Sequence, residues 1–192
     1  MEENIEKEII KIWEKSEEEF ETMKKNYKKV KEKDRPYKRR KHCEKVCDIV
    51  EVITQQIAFD KQLNQELMVA AKLHDIKKYE KKHAKKGEKY VRENFYVENL
   101  NVDNICKIIR YHSCPELRED DKLIKCKNIT NEIMKAIFII RIADKLSKKE
   151  MMLDKAVDAV YEHSIEGIIS KEEKERIKGI IIEYYDDKLW RA

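Results

Sequence analysis

Apolar residues recur at steps of three and four over much of this chain, which is the spacing of one face of an α-helix. The first such stripe runs through residues 3–33, where Glu and Lys fill most of the other positions. It predicts an N-terminal amphipathic helix that either packs on its own domain or forms the seam of a dimer. One short heptad run is weak support for a coiled coil, so packing is favoured. The stripe consists of Ile9, Trp13, Ser16, Phe20, Met23, Tyr27 and Val30.

Further helices are indicated by residues that start or stop them. A second helix is predicted from Pro36, because proline suits the first turn of a helix. Asn64 is expected to cap a third helix, and Asn101 or Asp103 to start another. Residues 133–144 form the most apolar run and are predicted to be the core helix.

The C-terminal part continues in the same way. A capping box at Ser170 and Glu173 predicts the start of a last helix. The polar residues 116–128 are predicted to form a loop, and we interpret them as a lid over a substrate. With three glycines and two prolines in 192 residues, turn-rich sandwiches and barrels are disfavoured, and one all-α domain over residues 1–192 is predicted.

Composition narrows the classes of function. The net charge of +4 comes from 43 basic and 39 acidic residues, a near balance that argues against a nucleic-acid-binding protein. No apolar run approaches the length of a membrane span, and the charged N-terminus does not resemble a secretory signal. Five cysteines without a Cys-x-x-Cys pair indicate reduced thiols, so a cytoplasmic location is expected.

The candidate chemistry lies in the histidines. Four of the five histidines form one ordered series with two aspartates. Neutral imidazole and carboxylate are the usual protein ligands of iron, manganese and zinc, so the series predicts a metal site. Its members are His42, His74, Asp75, His83, His112 and Asp144.

The strings LHDIKK, HAKKG, YHSCP and IIRIADKLS around these residues resemble the HD superfamily of metal-dependent phosphohydrolases. The resemblance covers roughly residues 38–150 and departs from the family pattern at Lys77, where glycine is common. It implies an all-α HD-domain helical bundle with additional N- and C-terminal helices. The core would span roughly residues 36–150, between an N-terminal helix over 3–33 and helices over 151–190.

The same resemblance implies a ligand set for two divalent transition metal ions, Fe, Mn or Zn. His42, His74, Asp75 and Asp144 would bind the first ion, and His83 and His112 would complete a second site that shares Asp75. The single-metal members of the family lack the two middle histidines, so their presence favours two metals.

The function implied is hydrolysis of a phosphate ester or anhydride in a small nucleotide-type substrate by a metal-activated hydroxide. Asp75, Lys78 and Lys145 would act in catalysis, and Lys78 and Lys145 would bind substrate phosphates together with the weaker candidates Arg110 and Arg141. The other lysines of residues 77–89 are interpreted as a solvated helix face.

Two alternatives stay open. Some HD proteins use such a ligand set as a di-iron centre that activates oxygen. The second alternative is that the chain is a binding module that holds a nucleotide or a partner without catalysis. The terminal helices would then form the partner surface. A homodimer through those helices is compatible with the sequence.

Overall fold

The computed structural model describes residues 2–26, 31–57, 59–113, 129–147, 158 and 168–190, with no side chains described for 184–190. Seven α-helices and one 3-10 helix account for most of these residues, and no strand occurs among them. The all-α prediction is confirmed. In chain order the helices are α1 Glu2–Asn26, the 3-10 helix Glu32–Asp34, α2 Pro36–Gln56, α3 Lys61–Leu73, α4 His83–Asn94, α5 Val102–Tyr111, α6 Asn131–Leu146 and α7 Lys171–Trp190.

The N-terminal helix is shorter than predicted. Its described residues are Glu2–Asn26, and Lys31 is extended just before a separate 3-10 helix over Glu32–Asp34, so the expected single helix over 3–33 is wrong at its C-terminal end. The stripe itself packs within the chain, with Trp13 4% and Phe20 0% exposed. The packed-helix interpretation therefore accounts for the stripe without a partner chain.

Local signals explain where most helices begin. Pro36 occupies the first turn of α2, and the side chain of Asn101 caps α5, both as predicted. The predicted cap of α3 is wrong: Asp60, not Asn64, caps it, because the Asp60 carboxylate accepts a hydrogen bond from the Leu63 amide at 2.9 Å. The helix therefore starts one turn earlier than expected.

The last helix begins at the predicted capping box. The Ser170 hydroxyl accepts from the Glu173 amide at 3.1 Å, and the Glu173 carboxylate accepts from the Ser170 amide at 2.9 Å. Ile177 and Ile181 of α7 are buried, at 0% and 1% exposure. Of the predicted C-terminal helices over 151–190, most of 151–167 lies outside the described residues, as does the predicted lid at 116–128.

The core is one continuous cluster to which helices from α1 to α7 contribute. Helix α6 is its most buried part, as its apolar run predicted, and it packs against α2, α3 and α5. The helices α2, α3, α5 and α6 thus surround one interior, and their ends bring polar side chains together. None of the helices in the described part of the chain has the length and apolar character needed to cross a membrane.

Candidate metal centre

The His-Asp doublet lies where α3 ends. Helix α3 stops at Leu73, and His74 and Asp75 begin the turn that follows. Adjacent residues on a helix point about 100° apart, so a helix end is the place where both can face one site. Both side chains are fully buried, at 0% and 1% exposure, so they face the interior of the bundle.

The other predicted ligands lie on, or directly after, four different helices. His42 lies in the second turn of α2, His83 is the first residue of α4, His112 follows the last residue of α5, and Asp144 is near the end of α6. Two groups of potential ligand atoms result, in each of which all atoms lie within 4.8 Å of one another. We call them clusters: the first cluster is His42, His74 and Asp75, and the second cluster is Asp75, His83 and His112.

In the first cluster, Asp75 Oδ2 lies 3.9 Å from the Nε2 atoms of both His42 and His74. Asp144 stands beside it, with Oδ1 at 3.0 Å from His42 Nε2 and 3.8 Å from His74 Nε2. Ligand bonds of about 2.1 Å place neighbouring donor atoms roughly 3.0 to 3.4 Å apart in octahedral or tetrahedral coordination. Small side-chain movements would close these four residues on one ion.

The second cluster uses the other oxygen of the same carboxylate. Asp75 Oδ1 lies 3.4 Å from His83 Nε2 and 3.5 Å from His112 Nε2. These distances are close to the separation expected between ligands of one tetrahedral ion. Asp75 therefore presents one oxygen to each cluster, which is the arrangement of a bridging carboxylate.

Two buried histidines have nitrogen atoms without a protein partner. Nδ1 of His74 lies 2.8 Å from the Ala71 carbonyl oxygen, and Nδ1 of His112 lies 2.7 Å from that of Ile109. A carbonyl can only accept, so each Nδ1 carries the proton and each Nε2 has a free lone pair. Neither buried Nε2 has a hydrogen-bond partner among the residues that the structure describes. Buried polar atoms are nearly always satisfied, so these two fit metal ligands.

His42 is oriented by a serine that the sequence analysis did not select. The Ser147 hydroxyl donates to the Asp144 carbonyl oxygen at 2.8 Å and lies 3.3 Å from His42 Nδ1. Its oxygen is then left to accept the Nδ1 proton, which leaves the Nε2 lone pair facing Asp144. Two acceptor atoms at 3.0 Å need a cation or a proton between them. The signal in the sequence that could have found Ser147 is its spacing, because it lies three residues after Asp144 and so on the same helix face.

The protonation states suit metal binding at neutral pH. Burial lowers the pKa of His74 to about 4, and burial together with the Lys78 ammonium lowers that of His83 to about 4. Burial acts to raise the pKa of Asp75, but His74, His112 and Lys78 outweigh it and hold that pKa well below its ordinary value. Neutral imidazole and ionised carboxylate are the forms that bind metals.

Arg39 is a second residue that the sequence analysis missed. Its Nη2 donates to Asp34 Oδ1 at 2.5 Å, and its Nη1 lies 3.8 Å from Asp75 Oδ2. The buried Nε has no hydrogen-bond partner in the described part of the chain, so this donor of the guanidinium is unused. Arg39 precedes His42 by three residues and so shares its face of α2, which is the signal that could have found it.

The predicted phosphate-binding residues have different surroundings. Lys78 Nζ lies 3.1 Å from Asp75 Oδ1 and is therefore part of the centre. Arg110 Nε lies 3.8 Å from Glu88 Oε2, an ion pair between α5 and α4. Arg141 and Lys145 are half-buried on α6, near Asp144. The phosphate-binding roles of all four residues stay predictions.

Lys77 contradicts the expectation that the lysines of residues 77–89 form a solvated face. It is 3% exposed, forms an ion pair with Glu19 of α1, and its Nζ lies 3.7 Å from the centre of the Tyr90 ring. Ser16 of α1 also donates to the Ile76 carbonyl oxygen at 3.0 Å. Helix α1 therefore holds the turn that carries the doublet. The remaining lysines of the run are exposed or half-buried.

Gly87 allows α4 to lie close to its neighbours. A Cβ atom at this position would meet side-chain carbons of Ile109 and Ile76 at 3.4 Å. The Cβ would thus be in ordinary van der Waals contact, but a branched side chain with further carbons would push α4 away from α5 and from the turn after the doublet. A small residue at this position therefore keeps His83, at the start of α4, near His112 at the end of α5.

One family model matches the chain. It is described as HD domain and covers residues 39–149, more than half of the 192 residues. The matched range contains all six predicted metal ligands. No curated protein and no solved structure shows a significant match.

Proposed function

Because the chain belongs to the HD domain family, we propose that it is a metal-dependent phosphohydrolase acting on a small nucleotide-type substrate. The observation that carries the proposal is Asp75, whose two oxygens face two separate groups of imidazoles. The ions that such groups hold lower the pKa of a bound water and neutralise phosphoryl oxygens. His42, His74, Asp75 and Asp144 would hold one ion, and Asp75, His83 and His112 the other, with Fe, Mn and Zn as the candidate metals.

The protein's own residues would fix this centre before substrate arrives. Ala71 and Ile109 hold the rings of His74 and His112 through their carbonyl oxygens, and Ser147 orients His42. Such supporting hydrogen bonds set the tautomer and the direction of each imidazole. The centre therefore needs little rearrangement, which is what electrostatic catalysis requires.

Two cationic side chains on either side of Asp75 support an anionic substrate. Arg39 approaches Oδ2 and Lys78 approaches Oδ1. Arg39 has an unused buried donor, and guanidinium groups bind phosphate oxygens in a fixed planar geometry. We assign Arg39 and Lys78 to substrate phosphate, and we keep Lys145, Arg141 and Arg110 as further candidates. An anionic nucleotide fits this positive charge.

The test is phosphate release from a panel of nucleoside mono-, di- and triphosphates, dinucleoside polyphosphates and cyclic nucleotides, with Mn²⁺ supplied. Asp75→Asn keeps the shape of the side chain and should abolish turnover, because one amide cannot bridge two ions. Asp48→Asn is the matched control, since Asp48 is exposed on α2, and it should keep full activity. Full activity in Asp75→Asn would refute the assignment of the site.

The same experiment separates the two alternative functions. Oxygen consumption with iron and without phosphate release would identify a di-iron oxygenase. Specific nucleotide binding without turnover by the metal-loaded protein would identify a binding module.

A further inference from the structure

The ammonium of Lys78 lies among the atoms of the second cluster. Its Nζ is 3.1 Å from Asp75 Oδ1 and 3.3 Å from His83 Nε2. These are two of the three ligand atoms of that cluster, and the two atoms are only 3.4 Å apart. The ammonium therefore occupies the position beside these two atoms that a second metal ion needs, and the Ser113 hydroxyl also approaches His83 Nε2, at 3.3 Å.

We propose that Lys78 is a tethered cation that competes with the metal of the second cluster, so that substrate phosphate strengthens metal binding there by drawing the ammonium away. The proposal deepens the function proposed above and rests on it. It adds a regulation of the second site that follows from the position of one side chain.

Position and charge make the two cations exclude each other. A metal ion bonded to Asp75 Oδ1 and His83 Nε2 at about 2.1 Å would lie within roughly 4 Å of an ammonium that stays bonded to the same atoms. Repulsion between charges at this range is strong in a partly buried site. The metal can bind fully only after Lys78 has moved.

The first cluster has a different relation to its neighbouring cation. Arg39 Nη1 is 3.8 Å from Asp75 Oδ2, beyond hydrogen-bonding distance, and Asp34 holds the guanidinium at 2.5 Å. Arg39 thus lies beside the first cluster without using its lone pairs. The first cluster should fill with metal before the second.

Lys78 is able to move. Its side chain is 29% exposed, in contrast to the 4% of Lys77, and it lies on a long flexible stem. A phosphate group at the centre offers the ammonium an anionic partner in place of Asp75 Oδ1 and His83 Nε2, while the metal ion takes over the charge of Asp75. Because coupling between two ligands is reciprocal, phosphate should tighten the second metal, and the second metal should tighten phosphate.

The experiment is a titration of the full chain with Mn²⁺, with and without inorganic phosphate. The electron paramagnetic resonance signal of free Mn²⁺ measures how much metal is bound. The variants are Lys78→Met and Lys78→Gln, and Lys85→Met is the control because it removes the same charge from an exposed position in the same segment. The variant His83→Ala should lose the second Mn²⁺, and this loss identifies which part of the titration belongs to the second cluster.

The expected result has two parts. Both Lys78 variants should bind the second Mn²⁺ at least about tenfold more tightly than the unmodified chain, whereas Lys85→Met should not change it. Phosphate should tighten the second Mn²⁺ clearly more in the unmodified chain than in the Lys78 variants, in which only direct contact between phosphate and metal remains.

The failures are distinguishable. Equal or weaker second-site binding in both Lys78 variants would overturn the competition while leaving the proposed function intact. A chain that binds no Mn²⁺ in either cluster would overturn the proposed function and this inference together.

Discussion

The ion pair between Lys77 and Glu19 allows a quantitative test of how α1 supports the metal centre. The Lys77 side chain is 4% exposed and that of Glu19 is 43% exposed, so the pair connects a buried cation with a half-solvated anion. Tyr79 OH lies 2.8 Å from Lys77 Nζ and accepts from it, but it carries no neutralising charge. Glu19→Gln would therefore leave a buried ammonium without its nearest carboxylate.

The magnitude follows from the burial of the cation. Breaking a fully buried pair by removing one partner costs about 3–5 kcal/mol, and an exposed pair contributes about 0–1 kcal/mol. This pair is buried on one side, so we expect Glu19→Gln to lower the free energy of unfolding by about 2–3 kcal/mol. The exposed pair of Lys89 and Glu93 is the control, and Glu93→Gln should cost less than about 1 kcal/mol.

The assay is a double-mutant cycle by urea denaturation of metal-free protein at pH 7. In Glu19→Gln, Lys77 Nζ loses its nearest carboxylate and keeps only Glu80 Oε1 at 4.0 Å. Lys77→Met removes the charge that has lost this partner, so the double variant should be more stable than the sum of the single effects predicts. We expect a coupling of at least about 1 kcal/mol. Additive effects, within about 0.5 kcal/mol, would refute the view that this pair holds the doublet turn on α1.

Three further predictions concern the clusters themselves. The pKa of folded His74 is about 4, against an ordinary value of 6.5, so the unfolded chain gains a proton first as pH falls. His74 alone should cost metal-free protein about 2 kcal/mol of stability between pH 7 and 5, and His83, whose pKa is also lowered to about 4, adds to the loss. A flat urea midpoint over this range would contradict the burial of neutral rings. Gly87→Val should move α4 away from α5 and lower the affinity for the second metal about tenfold or more, without changing the affinity for the first. Titration with Mn²⁺ measures both affinities, and an equal loss at both clusters would point to general unfolding. Ser147→Ala should weaken the first metal about 10- to 100-fold through loss of the His42 orientation, and an unchanged dissociation constant would exclude that role.

The positions of the candidate ligands were predictable because residue type, order and apolar context carry the information. His74 and Asp75 follow a short apolar run, and His112 follows another, so the sequence predicts that they lie at the ends of buried helices. The structure places them there. The resemblance then supplied the division between the two clusters, which local patterns alone could not supply.

Other features depend on contacts between distant parts of the chain. The sequence predicts a surface position for Lys77 because Lys78, Lys81 and Lys82 follow it closely. Its partner Glu19 is 58 positions away and gives no local signal. The separate 3-10 helix over Glu32–Asp34 was missed because apolar Tyr27 and Val30 continue the α-helical spacing up to it. Asp60 and Asn64 are both good caps, and the sequence does not rank two good caps one turn apart.

The supporting residues were missed for a related reason. Arg39 and Ser147 are ordinary residues on helix faces, and their roles arise only when α2 and α6 bring His42 and Asp144 together. Their spacing of three residues from a ligand is a usable signal, but many residues satisfy it by chance. The structure is needed to choose among them.

The central claim is that Asp75 bridges two metal ions, and the most direct test is the Mn²⁺ electron paramagnetic resonance spectrum of protein equilibrated with excess Mn²⁺ and freed of unbound ion. We expect about two bound ions per chain, with the spectrum of a magnetically coupled pair. His83→Ala should reduce it to the spectrum of a single ion, and Asp75→Asn should abolish the coupling. Two uncoupled ions in the unmodified chain, or coupling that survives in Asp75→Asn, would contradict the account.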